Sequence, residues 1–446
     1  MGINNSMKLF QCARRAGIRG AMWLLLLTGL WSLGCGESKT EQAENPIKVG
    51  VLHSLSGTMA ISETTLKDTI LMMVEGQNAK GGLLGRQLEA VVVDPASDWP
   101  LFAERARELL ESEQVDVVFG CWTSVSRKSV LPVFEENNGL LFYPVQYEGE
   151  ESSKNVIYTG AAPNQQAIPA IDYLMNEVGI KRWVLEGTDY VYPRTTNKIL
   201  EAYLKQKGVA DADISINYTP FGHSDWQTRV SAIRAFGSAG TPTAVVSTIN
   251  GDANVPFYLE LANQEVLAED IPVIAFSVGE EELSGLNTEP LVGHLAAWNY
   301  FQSIDSTENS KFIKTWKEFV GNEDRTTNDP MEAHFIGFNL WVKAVEKAGT
   351  TEVDAVLAAL PGTETPNLTG GVARLLPNHH ITKPVYIGEV RADGQFDVVW
   401  QTDEAVPGDA WSDYLPVSED TKADWVELDC GNYNTKTDTC SGQNYE

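Results

Sequence analysis

From Ile47 onward, short β-branched runs alternate with amphipathic segments, and no other property limits the fold as strongly. Ile47-Lys48-Val49-Gly50-Val51-Leu52 is an apolar run with strand character. A helical segment near Thr65 to Ala79 follows, closed by Gly81-Gly82. Leu88 to Val93 is a second strand and ends at Asp94-Pro95. Pro100 opens a helix whose apolar face is Phe102, Ala106, Leu109 and Leu110, the spacing of a 3.6-residue period. Val115 to Gly120 is a third strand, Val125 to Glu136 a helix, and Leu140 to Tyr143 a fourth strand. Alternation at this pace builds βαβ units, which place parallel strands in a sheet covered on both faces.

The rhythm continues too long for one sheet. Strands at Arg182–Glu186, Ala244–Thr248 and Pro272–Phe276 alternate with helices near Gln165–Val178, Thr195–Lys207, Trp226–Phe236 and Val255–Gln264. Leu295–Tyr300 and helices near Lys311–Val320 and Pro330–Lys347 come next. Val385–Val390 and Phe396–Trp400 flank Ala392-Asp393-Gly394 and read as an antiparallel hairpin. The expected class is α/β, with two doubly wound lobes. Residues 46–162 and 296–350 form one lobe, 163–295 and 351–403 the other, and 404–446 a C-terminal extension.

The first residues are set apart from the fold. Lys8, Arg14, Arg15 and Arg19 precede an apolar run from Ala21 to Leu33, too short to span a bilayer but suited to an export signal. Ser32-Leu33-Gly34-Cys35 looks like a bacterial lipobox, so 1–34 read as a signal peptide and 35–45 as a polar tether lipidated at Cys35. An ordinary cleaved signal and an uncleaved anchor are the competing readings. Lys and Arg total 33 against 61 Asp and Glu, a net charge of −28. That balance repels phosphate backbones and anionic lipid surfaces, so nucleic acid is excluded and membrane contact is left to the anchor. Cys430 and Cys440 stand in a polar loop and read as a local disulfide in an oxidising compartment. A calcium site in the loop 429–438 is the alternative there. Cys121 is expected to be a buried packing thiol.

Catalytic signatures are missing from the sequence: no Gly-x-Gly-x-x-Gly after a strand, no Gly-x-x-x-x-Gly-Lys, no Gly-x-Ser-x-Gly, no His-Glu-x-x-His. His379-His380 reads as a surface or capping pair. Glu332 and His334 fall on different helix faces, poor for shared ligation. Glu280-Glu281-Glu282 reads as a carboxylate site or a solvated helix start. No cofactor, metal or enzyme activity is expected.

The strand ends carry the signal instead, because open α/β sheets bind ligands beyond the carboxyl ends of their strands. Strand three ends in Gly120-Cys121-Trp122-Thr123-Ser124, and strand four in Tyr143-Pro144-Val145-Gln146-Tyr147-Glu148-Gly149. Later strands end in Gly187-Thr188-Asp189-Tyr190-Val191-Tyr192-Pro193 and in Asn250-Gly251-Asp252. Aromatic walls with a few hydroxyls and amides suit a small polar solute; packing of the core is the competing role for each ring.

These segments also resemble a known family. Trp122-Thr123-Ser124-Val125-Ser126-Arg127-Lys128, Tyr143-Pro144-Val145-Gln146-Tyr147-Glu148-Gly149-Glu150-Glu151, Thr188-Asp189-Tyr190-Val191-Tyr192-Pro193 and Asp329-Pro330-Met331-Glu332-Ala333 are similar to blocks of urea- and short-chain-amide-binding lipoproteins of ABC transporters, within the branched-chain-amino-acid-binding superfamily. The likeness runs from about Ile47 to about Thr402. It implies a type I periplasmic binding fold with two lobes and a hinge, a urea or small-amide ligand, and permease and ATPase partners. Trp122, Thr123, Ser124, Tyr143, Gln146, Tyr147, Asp189, Tyr190, Tyr192, Asn250, Gly251 and Glu281 are the expected ligand residues. Ser124, Thr123 or helix-start amides are expected to donate to a carbonyl, and Gln146 and Asp189 to accept from amide groups. An amino acid is the alternative ligand, with Asp189 or Glu281 as partner of its ammonium. A sensor role beside a membrane receptor is a further alternative.

Overall fold

The computed structural model describes residues 45–284 and 286–415 and the backbone of 432–434 and 439–441. The signal peptide, the Cys35 tether, Cys430 and most of the 429–438 loop lie outside the described residues. The two short strands there, Asn432–Asn434 and Thr439–Ser441, pair antiparallel.

Two sheets organise the rest. The first has the order β2-β1-β3-β4-β5, built from β1 (Ile47–Leu52), β2 (Leu88–Val93), β3 (Val117–Gly120), β4 (Leu141–Tyr143) and β5 (Val156–Tyr158), all parallel. The second contains β6 (Arg182–Thr188), β7 (Ile214–Thr219), β8 (Thr243–Thr248), β9 (Val273–Ala275) and β10 (Leu295–Trp298) in the parallel order β7-β6-β8-β9-β10. Three short strands, β11 (Glu364–Pro366), β12 (Val372–Arg374) and β13 (Thr382–Lys383), precede the hairpin β14 (Tyr386–Val390) and β15 (Phe396–Gln401), which extends the second sheet antiparallel. A last short strand, β16 (Val406–Pro407), pairs with β13.

The helices are α1 (Ala60–Ala79), α2 (Trp99–Arg107), α3 (Ser124–Glu136), α4 (Ala167–Tyr173), α5 (Val191–Gln206), α6 (Gln227–Gly237), α7 (Asn254–Asn263), α8 (Glu280–Leu283), α9 (Thr307–Val320), α10 (Asp329–Ala348) and α11 (Val353–Ala359). Several starts are written locally. The Thr123 hydroxyl accepts from Ser126 N at 3.1 Å, and Asn328 Oδ1 accepts from Met331 N at 3.2 Å. Each sheet is apolar on both faces: Val118 and Leu141 pack on one side of the first, Val117 and Phe119 on the other.

Both parallel sets have the doubly wound order 2-1-3-4-5. In that order the crossovers leave in opposite directions on either side of one strand pair, opening a crevice at the carboxyl ends. The first crevice lies between β1 and β3, the second between β6 and β8.

The chain leaves the first lobe after Tyr158, returns to it after Trp298 and leaves again near Lys383. The expected lobe boundaries at 296 and 351 are thereby displaced. Leu295–Trp298 pairs with β9 and β14, so it belongs to the second sheet. Val356, Ala359 and Leu360 pack with Ile336, Trp341 and Val345 of α10, which keeps 351–375 with the first.

The crossings are tied by buried amides. Asn299 Nδ2 donates to Gln165 O at 3.0 Å and Pro384 O at 2.6 Å, linking all three crossings. Lys383 Nζ sits 3.6 Å from Asp329 and 3.7 Å from Glu332, all buried. Burial pushes the Glu332 carboxyl from 4.5 up to about 8, against the pull of Lys383. Between those values the folded chain holds a proton that the unfolded chain has released, so stability falls as pH rises through this window. Glu332→Gln is expected to flatten the fall in thermal stability between about pH 5 and pH 8 by about one proton's worth of slope. An unchanged slope would place the titration elsewhere.

Candidate functional site

The two crevices face each other across a seam. Trp122, two residues beyond β3, donates its Nε1 proton to Asn250 Oδ1 at 3.2 Å, joining the carboxyl ends of β3 and β8. Asn250 is itself fixed: its Nδ2 donates to Thr248 O at 3.1 Å and its backbone N to Thr188 Oγ1 at 2.9 Å. Gly251 follows with φ +70°, and a Cβ there would stand 2.7 Å from Thr58 O of the first lobe. Only glycine allows both the left-handed backbone and that approach. Asp252 N donates to Thr58 O at 3.1 Å, a backbone bond across the seam.

Aromatic contacts close one side. Tyr190 lies 4.8 Å from Phe221, which lies 5.3 Å from Trp99 of α2. Val125 of α3 packs with Tyr190, Val191 and Tyr192. Gln146 Nε2 donates to Ser277 Oγ at 2.7 Å, joining the ends of β4 and β9. The Tyr192 hydroxyl lies beside Gln146 and Ser277 without a well-aligned bond to either. Gln146 Oε1 is likewise buried and unpartnered. A buried polar group without a partner costs roughly 1–3 kcal/mol, so Gln146, Ser277 and the Tyr192 hydroxyl form one small polar cluster where the two lobes meet, its members near enough to serve one another.

Behind Ser124 stands a buried ionic cluster. Arg127 Nε donates to Glu151 Oε1 at 2.7 Å, Lys128 Nζ to Glu151 Oε2 at 2.6 Å, and Arg127 Nη2 to Glu148 Oε1 at 3.3 Å. The guanidinium lies 4.6 Å from the ring centres of both Tyr143 and Tyr147. Burial alone would raise the Glu151 carboxyl; Arg127 and Lys128 overcome it and hold the group well below the usual carboxylate range. Burial alone would weaken the Arg127 charge, and Glu151 and Glu148 outweigh that too.

The expected residues divide accordingly. Trp122, Ser124, Tyr143, Gln146, Tyr190, Tyr192, Asn250 and Gly251 gather at or directly behind the seam. Thr123 is spent as a helix cap, donating to Ser126 Oγ at 2.9 Å, so it has no proton for a carbonyl. Tyr147 faces the first lobe's interior, its hydroxyl 2.6 Å from His380 Nε2 and its ring stacked on Tyr158. Asp189 is exposed and paired with Arg194, because the chain turns its side chain outward one residue before Tyr190 turns in. Glu281 is held by Arg325 at 3.3 Å and Thr326 at 2.9 Å. Its neighbours are buried, not solvated: Glu282 accepts from Ser62 Oγ across the seam at 2.7 Å, and Glu280 from Gln302 N at 2.7 Å. His380 is buried against Tyr158 rather than on the surface. Cys121 is a buried thiol that burial pushes up. Sequence reasoning missed Ser277, Glu148 and Arg127 as parts of the site. Their signal was faint: polar side chains at strand ends or one helical turn inside a cap.

The sequence profile of one family, described as a periplasmic binding protein domain, matches residues 47–417. The chain belongs to the periplasmic binding protein family. A Leu/Ile/Val-binding protein homolog 6 from Brucella melitensis is 24% identical over 352 residues, covering 77% of this chain and 87% of that one. A second kind of relative, a limonene hydroxylase from Geobacillus stearothermophilus, is 30% identical over 115 residues, and this chain spans only 21% of its length. Among solved structures, a Rhodopseudomonas palustris solute-binding protein of an ABC transporter, in complex with 3,4-dihydroxybenzoic acid, has a TM-score of 0.70 at 18% identity, covering 81% of this chain and 98% of that one. The leucine-binding protein LivK from Thermotoga maritima has a TM-score of 0.68 at 18% identity, covering 80% and 98%. The fold is thus the type I periplasmic binding fold, the one these solute-binding proteins share. Membership of the family implies action outside the cytoplasm. Among the described residues no helix is long and apolar enough to cross a membrane, and no group of three or more His, Cys, Asp or Glu is arranged to hold a metal ion.

Proposed function

We propose that this periplasmic binding protein captures urea or a short-chain amide in the seam and delivers it to a permease driven by a partner ATPase. The observation that carries this is the lining of the seam, where neutral amide and hydroxyl groups, Gln146 with Ser277 and the Tyr192 hydroxyl, meet beside the Trp122–Asn250 bridge. Urea is planar and uncharged, with four N–H donors and one carbonyl. Tyr192 supplies a donor for the carbonyl and Gln146 an acceptor for an amide group, while Trp122, Tyr143 and Tyr190 supply apolar walls. A ligand touching both lobes gains contacts only when they close, and that difference drives closure.

An amino acid is the second reading, favoured by the names of the Leu/Ile/Val-binding relatives. Its ammonium needs a carboxylate at the seam; the two expected for that task, Asp189 and Glu281, are paired elsewhere, and Glu282, which does reach the seam, is engaged by Ser62 Oγ and Gly279 N. Thermal unfolding separates the two. At one hundred times its dissociation constant urea is expected to add about 2.7 kcal/mol of stability. A rise with leucine and none with urea or acetamide would overturn the amide reading. The lipid anchor at Cys35 is part of the same proposal: Cys35→Ala is expected to move the protein from the membrane to the soluble fraction, and continued membrane retention would point to an uncleaved helix.

A further inference from the structure

Resting on the seam as the binding site, we infer that Arg127 and Glu148 fix the Ser124 hydroxyl as a hydrogen-bond acceptor toward the ligand, so that the site selects solutes with N–H groups and excludes carboxylates. A hydroxyl has one proton and two lone pairs. The Ser124 proton goes to Glu148 Oε2. One lone pair is taken by Arg127 Nη1, which donates at 3.2 Å. A guanidinium only donates and a carboxylate only accepts, so the order Arg127 to Ser124 to Glu148 cannot reverse. What Ser124 has left is one lone pair, in the neighbourhood of the Tyr143 hydroxyl.

Its neighbours are committed in the same sense. The Tyr143 hydroxyl donates to Trp122 O, which leaves its oxygen an acceptor. Gln146 has given an Nε2 proton to Ser277 and presents Oε1. Against these three acceptors the Tyr192 hydroxyl can donate. Ser124 sits among residues that touch the other lobe, since Trp122 bonds Asn250 and Val125 packs on Tyr190. A carboxylate in the seam would place its lone pairs against those of Ser124, Tyr143 and Gln146, with the Tyr192 hydroxyl and the first N–H groups of α3 as the donors to hold it. An amide NH₂ group meets them with protons. Glu148 and Arg127 are therefore positioning residues for specificity, acting through Ser124.

The test uses acetamide and acetate, nearly the same in shape, together with urea, in calorimetric titrations of the full mature chain. Wild type is expected to bind urea or acetamide at least a hundredfold more tightly than acetate. In Glu148→Gln the serine proton is released and can turn to the ligand, so the amide-to-acetate ratio is expected to fall tenfold or more. Ser124→Ala leaves the ionic cluster in place and is expected to lower amide affinity about tenfold with little effect on acetate. An unchanged ratio in a folded Glu148→Gln protein overturns the inference, as does unchanged amide affinity in Ser124→Ala, which also decides the matter if Glu148→Gln does not fold. Wild type binding neither urea nor acetamide would instead remove the functional reading beneath it.

Discussion

Arg127→Met is expected to lower the unfolding free energy by about 3–5 kcal/mol, the range for removing one partner of a buried ion pair. Glu148 and Glu151 would lose their shared cation, and both side chains are fully buried. Lys128 cannot replace it. Its Nζ is 2.6 Å from Glu151 but 4.0 Å from Glu148, and it reaches neither tyrosine ring by the geometry Arg127 has. Coulomb attraction here outweighs desolvation only because the geometry is nearly saturated, so the loss of one member exposes the whole desolvation cost. Guanidinium chloride unfolding followed by circular dichroism measures the change; urea is unsuited as denaturant because it is the proposed ligand. A loss below about 1 kcal/mol would mean that water reaches the carboxylates and the cluster is not dry.

Trp122→Ala is expected to weaken ligand binding more than a hundredfold while the far-UV spectrum stays native. The indole bridges the lobes through Asn250 and packs in the first lobe's core, so its removal costs stability as well, about 3–5 kcal/mol. Two effects separate by comparison with Asn250→Ala. That variant leaves the indole packed and removes the bridge, so it is expected to weaken binding with a smaller loss of stability. Native affinity in both variants would make Trp122 a core residue and no part of the site.

Much of this architecture is legible in the sequence, and the exceptions have physical causes. β1, β2 and the hairpin β14–β15 stand out because their apolar or alternating pattern persists for five or six residues. β5 has three residues, and β7 alternates isoleucine with polar side chains at a sheet edge, so neither rises above the surrounding pattern. Trp122, Tyr143, Tyr190 and Asn250 are readable because doubly wound sheets put ligands at strand ends, whatever the sequence. Asp189 is not, since at a turn neighbouring side chains point in opposite directions and nothing local says which faces inward. The run Glu280-Glu281-Glu282 looks solvated when read alone. Glu280 and Glu282 are buried and Glu281 partly so, because Gln302, Ser62 and Arg325, each supplied by another part of the chain, meet them. The pairing of Arg127 with Glu148 and Glu151 is likewise invisible locally, being set by how β4's following loop passes over α3.

A crystal structure of the mature chain grown with urea tests the binding seam most directly. The expected result is a urea molecule between the lobes, its carbonyl within reach of the Tyr192 hydroxyl and its N–H groups on Gln146 Oε1 and Ser124 Oγ. Urea bound away from the seam, or a seam that holds an amino acid and refuses urea, would contradict it.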